Sequence, residues 1–488
     1  AGSVHSQYSE DTARVPKERS LKNKFIALIL EDERDAKYYL DRRPEIMAWS
    51  SVKYEWAKER AIYGTDITSY ILAHYAFYNC EDTLPADFPV GKKARPSFVN
   101  ARVAAVLEDT MPLCIDFEDF NSQHSIGAMK SVIRAYIDAN KNRLEAEQLA
   151  AAEWTMLSMD NTVIIDNMGT KTTYRANGTL MSGWRLTTFM NSVLNYIYTR
   201  QIVGVIETRT RSIHNGDDVL MGVNNLEVAR RAVQNSEKMG VRLQRKKCGF
   251  GGIAEFLRVD HMRGEYGQYL TRNIATLVHS RIESKIAIKA ADLVQAMEDR
   301  LSEYLIRGGE VEIALNLRKN YYKRIAPKYD KTVEELHVIK HTHRVAGGIS
   351  ERTDAGVEHV IEETREAKEI ELPESIPGII SYAAILKKKL ELTVPVRVIE
   401  KRLRNATLNA VQMVFIRENI SKNTDVQRYT VLRAIFKAYS DAAEDPLFGK
   451  AMLVGFVFDV LSKKASMRGL IRQLATSKQP LALLRVLA

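Results

Sequence analysis

The chain has 488 residues, 45% of them hydrophobic, with 71 Lys and Arg against 61 Asp and Glu for a formal charge of +10. That length and balance support several subdomains around a large core, exclude a disordered or low-complexity chain, and suit either a polyanion-handling protein or a basic protein with scattered lysines. Cys80, Cys114 and Cys248 have no paired spacing, which argues against a disulfide framework or a Cys-rich zinc site and for a reducing compartment, and no apolar run is long enough to span a bilayer.

The N-terminal Ala1-Gly2-Ser3-Val4-His5 has neither a start methionine nor a signal-peptide pattern, so the chain is expected to be a piece of a larger product. Lys53–Tyr63 is a basic amphipathic segment. Met111–Asp116 is a short apolar run ending in an acid, the pattern of a buried strand that delivers a carboxylate to a sheet edge. Ile126–Met159 has the apolar spacing of one or two long amphipathic helices. Thr162–Ile165, the turn at Asn167-Met168-Gly169 and Thr172-Thr173-Tyr174 read as a hairpin, and Asn177-Gly178 as a further turn. Ser182-Gly183 reads as a flexible loop, followed by a helix that sets Thr187 and Asn191 on one face.

Asn215-Gly216 between Ser212–His214 and Val219–Met221 is a tight-hairpin signal. Asn225–Met239 reads as a helix closed by Gly240. Val241–Leu243 and Ala254–Val259 read as strands. From about Arg272 the chain reads as mostly helical to its end, with the charged stretch Glu351–Glu374 as an exposed loop or linker. Strands cluster in the middle without a βαβ rhythm, which predicts an α+β fold with an antiparallel sheet backed by helices.

Asp217 and Asp218 at the hairpin tip are forced together and repel unless a cation joins them. Asp116 could join them as an all-oxygen ligand set for two Mg²⁺ (or Mn²⁺) ions, the arrangement that nucleotidyl transfer requires, or simply be a strand-end acid in a turn. The hydroxyl and amide groups of Thr187 and Asn191 could bond a ribose 2′-hydroxyl, or the segment could simply be a Ser/Thr cap on an ordinary helix. His337, His341 and His343 beside Glu334 and Glu335 have a spacing a metal could use, but a solvated helical face is the better reading.

The order of acid, Ser-Gly…Thr…Asn and Gly-Asp-Asp matches motifs A, B and C of viral RNA-dependent RNA polymerases. With Asp116–His124, Thr187–Asn191 and Glu255–Arg258, the chain resembles the polymerases of totiviruses and related double-stranded RNA viruses, from about Lys53 to about Arg281. The resemblance implies a right-hand polymerase: fingers over 1–105 and 128–175, palm over 106–127 and 176–265, and a mostly helical thumb and C-terminal region over 266–488. It implies metal ligation by Asp116, Asp217 and Asp218, and contacts to the nucleoside triphosphate from Lys53, Lys58, Arg60, Asn121, Ser182, Gly183, Thr187 and Asn191. Lys246 or Lys247 is implied as general acid to pyrophosphate, with Ala254–Asp260 supporting the primer and Gly2–His5 as a remnant of the template-tracking motif. One departure is Asn121, which stands where many positive-strand virus polymerases have a second acid.

The implied partners are template and product RNA, nucleoside triphosphates and a viral capsid protein, fused or docked, with no membrane. The implied setting is the virion interior or host cytoplasm. Two alternatives stand beside this reading: a reverse transcriptase, which usually has Tyr-X-Asp-Asp where this chain has Asn215-Gly216-Asp217-Asp218, and a non-catalytic RNA-binding or packaging protein with a polymerase fold.

Overall fold

The computed structural model describes residues 5–55, 58–204, 211–262, 267, 269–278, 289–350, 359–367, 370–412 and 414–422. The Gly2–Val4 part of the template-motif expectation and the helical expectation beyond 422 lie outside the described residues. The chain divides into two compact units, 1–15 with 34–283, and 16–33 with 284–488. Among the described residues, no helix is long and apolar enough to cross a membrane.

In the first unit the strands in chain order are β1 (Ile46–Glu55), β2 (Lys58–Thr65), β3 (Met111–Ile115), β4 (Thr162–Ile165), β5 (Thr173–Arg175), β6 (Arg211–Asn215), β7 (Asp218–Val223), β8 (Gly249–Phe250), β9 (Glu255–Phe256) and β10 (Val259–Asp260). One sheet has the order β6-β7-β3-β8 and is antiparallel throughout, as expected. The other has the order β2-β1-β4-β5, with a parallel pairing of β1 and β4 from Ile46↔Thr162 to Trp49↔Ile165.

The acid-bearing sheet is covered on both faces, which is why β3 and β7 read as continuous apolar runs. Leu113, Ile115, Val219, Met221 and Val223 pack with Val228 and Ala229 on one face. Cys114, Ile213 and Leu220 pack with Val99, Val103 and Val106 on the other. Each such Val, Leu, Ile or Met side chain contributes about 1.5–3 kcal/mol by leaving water. The N-terminal segment is pinned to this unit by Arg42, whose two terminal nitrogens donate to the Asp11 carboxylate at 2.8 and 2.9 Å. Both side chains are buried, and the pairing holds the Arg42 pKa above its ordinary value against the opposing effect of burial.

Several helices begin at capping side chains. Ile126–Asn140 and Ala146–Ser158 split the long amphipathic stretch in two, and Asn225 caps Leu226–Lys238 through a bond from the Val228 amide. Val241–Leu243 forms no strand; it contributes a single bridge, Leu243 to Phe117. Ala254–Val259 is likewise not one strand. Leu257 and Arg258, at φ 51° and 66°, turn the chain back between β9 and β10, a left-handed pair that sequence patterns reserve for Gly and Asn.

The second unit combines helices with a strand pair, which corrects the reading of Glu351–Glu374 as an exposed loop or linker. Helices Ala290–Ile306, Val311–Ile325 and Val333–His341 share a core around Val294, Tyr322 and Leu336. His337 and His341 are exposed on the last of them. The Glu351–Glu374 stretch contains β11 (His359–Ala367), paired antiparallel along its whole length with β12 (Val414–Lys422). The partner strand lies far along the chain, and charged positions such as Glu362 and Glu366 face outward, so the segment imitates a solvated linker. Within this unit residues 16–33 add Leu21, Ile26 and Leu30 to a cluster with Leu372, Ile376 and Ile379.

Candidate active site

The register of β3 on β7 builds the acid cluster. Ile115 pairs with Val219, so one further step sets Asp116 across from Asp218. On the other side Asn215 pairs with Asp218, leaving Gly216 and Asp217 as a two-residue turn. Gly216 has φ +62° at the first turn position, where a type II′ hairpin takes glycine. The Asn-Gly signal therefore located the hairpin one residue early: Asn215 ends β6, and its Nδ2 donates to the Pro89 carbonyl at 2.6 Å.

The hairpin tip is held by the Thr187–Val203 helix. Ser192 Oγ accepts the Gly216 amide at 2.9 Å, and Asn195 Nδ2 donates to the Gly216 and Asp218 carbonyls at 3.0 and 3.1 Å. With both Asn195 N–H groups committed, its Oδ1 accepts from Thr199 Oγ1 and, at 3.0 Å, from His214 Nδ1. His214 Nε2 lies 2.8 Å from Ser212 Oγ and accepts its proton. His214 is fully buried, and burial, helped by the charge of Arg200, pushes its pKa down to about 3. It is thus a neutral ring in one tautomer. Sequence reading missed this layer; its one signal was Asn191 and Asn195 four apart on a helix.

The acids act on one another. Asp218 keeps a face to solvent yet is crowded by protein atoms, and that crowding, followed by the charges of Asp217, Glu255 and Asp116, raises its carboxyl to about 6 against the opposing Arg258. Glu255 is raised by burial and by Asp116, while Arg272, paired with it at 2.7 Å, and Lys247 oppose the shift. Glu255 is therefore a fourth carboxylate in the field of the three predicted ones, unassigned in the sequence reading although its string was singled out. Lys247 Nζ lies 3.1 Å from Asp116 Oδ2. The segment bearing it is laid along β3's extension by bonds from the Gln244 amide to the Asp116 carbonyl and from the Glu118 amide to the Arg242 carbonyl. Lys246, the neighbouring candidate, is exposed and does not line the cleft.

A cleft of about 910 Å³ opens in front of these groups, lined by Asp116, Asp217 and Lys247, by Lys53 and Arg60 from β1 and β2, and by Asn121 and Ser182. Lys53 and Arg60 are register partners, so the hairpin presents two cations side by side. The Lys58 side chain lies outside the described residues. The Ser182-Gly183 loop is not free but docked: Ser182 Oγ accepts the Tyr63 amide, and the Gly183 amide donates to the Tyr63 carbonyl, both at 2.9 Å. Glycine is required there by close approach rather than for flexibility, since a Cβ would sit 2.4 Å from the Tyr63 carbonyl oxygen.

Thr187 Oγ1 is 2.8 Å from the carbonyls of Met181 and Trp184, so it closes the loop onto the helix instead of facing the cleft. Asn191 reaches the cleft only through Asn121, donating from Nδ2 to Asn121 Oδ1 at 2.9 Å. Its own Oδ1 lies 2.8 Å from Nε2 of the buried His124.

The donor set Asp116, Asp217 and Asp218 is all hard oxygen and carries a charge excess that burial makes costly, which fits Mg²⁺ or Mn²⁺. Among the described residues, no three His, Cys, Asp or Glu side chains as placed stand close enough to cage an ion.

Residues 1–282 match the family model described as viral RNA-directed RNA-polymerase. The chain is 40% identical over 395 residues to the probable RNA-directed RNA polymerase of Saccharomyces cerevisiae virus L-A, covering 78% of this chain and 26% of that protein. It is 41% identical over 329 residues to the protein of the same description from Saccharomyces cerevisiae virus L-BC, covering 66% and 21%. The chain thus spans about a quarter of the length of these relatives. A solved RNA-dependent RNA polymerase of a human picobirnavirus, an insertion-loop deletion mutant, aligns over 57% of each chain at 13% identity and a TM-score of 0.41, too distant to assign roles. These relatives are named as RNA-directed polymerases of RNA, which does not favour the reverse transcriptase alternative. By the family match over more than half its length, the chain belongs to the viral RNA-directed RNA-polymerase family.

Proposed function

We propose that the chain carries the catalytic centre of an RNA-templated RNA polymerase, extending a strand 5′ to 3′ with release of pyrophosphate in viral replication and transcription. The observation that supports it most is the β3–β7 register, which sets Asp116 opposite Asp218 beside a cleft that Lys53 and Arg60 also line. In this reading the unit with β3, β6 and β7 supplies the palm, the β1–β2 hairpin belongs to the fingers, and the helices after Ala290 belong to the thumb.

Asp116, Asp217 and Asp218 would hold two divalent ions, Mg²⁺ or Mn²⁺, which when bound activate the attacking 3′-hydroxyl and neutralise charge on the leaving group. Arg60 grips triphosphate oxygens with its planar fork, and Lys53 adds a point charge. Asn121 reads the ribose through neutral hydrogen bonds, with Ser182 beside it on the cleft wall. Lys247 is the general acid to pyrophosphate, released from Asp116 as the phosphates enter. Template and product RNA, nucleoside triphosphates and a capsid protein are the partners, within the virion or host cytoplasm.

Radiolabelled nucleoside triphosphate incorporation on an RNA template with Mg²⁺ or Mn²⁺ tests this, with Asp217→Asn as the comparison. Synthesis by the unaltered chain and its loss in the variant are expected; equal synthesis by both sinks the assignment.

A further inference from the structure

Building on that proposed function, we infer that His124 is a positioning residue for sugar selection: by donating from Nε2 it holds the Asn191 amide, which together with the Leu180 carbonyl holds the face Asn121 presents to the cleft. The chain of constraints starts from a carbonyl. The Leu180 oxygen only accepts, so the Asn121 atom 3.1 Å from it must be the amide nitrogen. Asn121 Oδ1 then points at Asn191, whose facing atom at 2.9 Å must be Nδ2. That leaves Asn191 Oδ1 toward His124, and the ring atom 2.8 Å away must carry a proton. His124 Nδ1, left bare in the neutral ring, accepts from the Tyr198 hydroxyl at 3.2 Å. Every orientation in the series follows from the one before it.

The inner end of the series is buried and its outer end lines the cleft. His124 is 1% exposed and packs edge-on against Phe120 at 4.5 Å between ring centroids. Burial lowers the ring's pKa from its ordinary value, against the opposing bond to Asn191. The Asn121 main chain is fixed by the Leu180 amide, which donates to its carbonyl at 2.9 Å. Its side-chain amide, held between the Leu180 carbonyl and Asn191, lines the cleft. Beyond its two partners that amide retains one N–H and one lone pair. A ribose 2′-hydroxyl, both donor and acceptor, can use them, and a deoxyribose cannot. His124 does not line the cleft, so its effect passes through Asn191 and Asn121.

The test uses the whole chain and compares GTP with dGTP in single-nucleotide incorporation on poly(C) primed with oligo(G), alongside their equilibrium binding. His124→Phe keeps ring volume and removes the donor; His124→Leu does so in a second shape. In whichever folds, the preference for GTP over dGTP should fall about 2- to 10-fold, the worth of one hydrogen bond, with dGTP use little changed. His124→Gln, whose amide can donate from the Nε2 position, should restore most of the preference. A fall in GTP and dGTP use by the same factor, an unchanged ratio, or no recovery in His124→Gln overturns the inference. Absence of incorporation by the unaltered chain would instead refute the proposed function, and the ratio of binding constants would then decide the role of His124.

Discussion

Replacing His214 should change how stability depends on pH, by an amount the structure allows to be worked out. The ring is fully buried with its pKa pushed down to about 3, against about 6.5 in an unfolded chain. Below pH 6.5 the unfolded chain binds a proton that the folded one refuses, so stability is fully present above that pH and is lost as pH falls toward 3. At pH 5 the difference is about 1.5 units, or about 2 kcal/mol at 1.36 kcal/mol per unit. His214→Asn can keep a donor toward Asn195 but loses the bond to Ser212 and the packing on Phe88 and Tyr196, whose centroids lie 5.6 and 5.4 Å away. At pH 7 it should be less stable by about 2–4 kcal/mol. Urea unfolding of both proteins at pH 7 and pH 5 reads the gap, in which titrations common to both cancel. The gap should narrow by about 2 kcal/mol at pH 5; parallel pH profiles would refute the neutral buried ring.

Other variants probe the groups around the cleft. Gly183→Ala drives a Cβ to 2.4 Å from the Tyr63 carbonyl oxygen and should cost about 1–3 kcal/mol by overpacking, seen as a lower melting temperature; an unchanged melting temperature would show that the loop yields freely. Lys247→Ala should lower kcat about 100-fold or more if it is the general acid, while Lys246→Ala, exposed and off the cleft, should lower it far less. The reverse order of the two would exchange their roles.

The parts of the fold legible in the sequence were those set by local chemistry. Asn225 and Gly240 bracket a helix by capping, Asn167-Met168-Gly169 turns a hairpin, and the run before Asp116 is apolar because both faces of β3 are covered. Pairings between distant segments were not legible. β11 looks like a charged linker until β12 is beside it, and Leu257-Arg258 takes a left-handed turn that its side chains disfavour. At the site, the order of motifs pointed to the acids and the Ser182–Asn191 segment. It did not show that Gly183 is held by close contact, that Thr187 is spent on its own loop, or that Glu255 joins the acid field. Those depend on what lies opposite a residue in space, and spacing along the chain does not record it.

The central claim is that two carboxylates brought opposite one another by the β3–β7 register act as one catalytic unit. RNA synthesis by Asp116→Asn, Asp218→Asn and the double variant tests it most directly. Each single change should abolish nearly all incorporation, and the double should be no worse than either alone, because residues that act together are grossly non-additive. Near-normal synthesis by either single variant, or losses that multiply in the double, would contradict it.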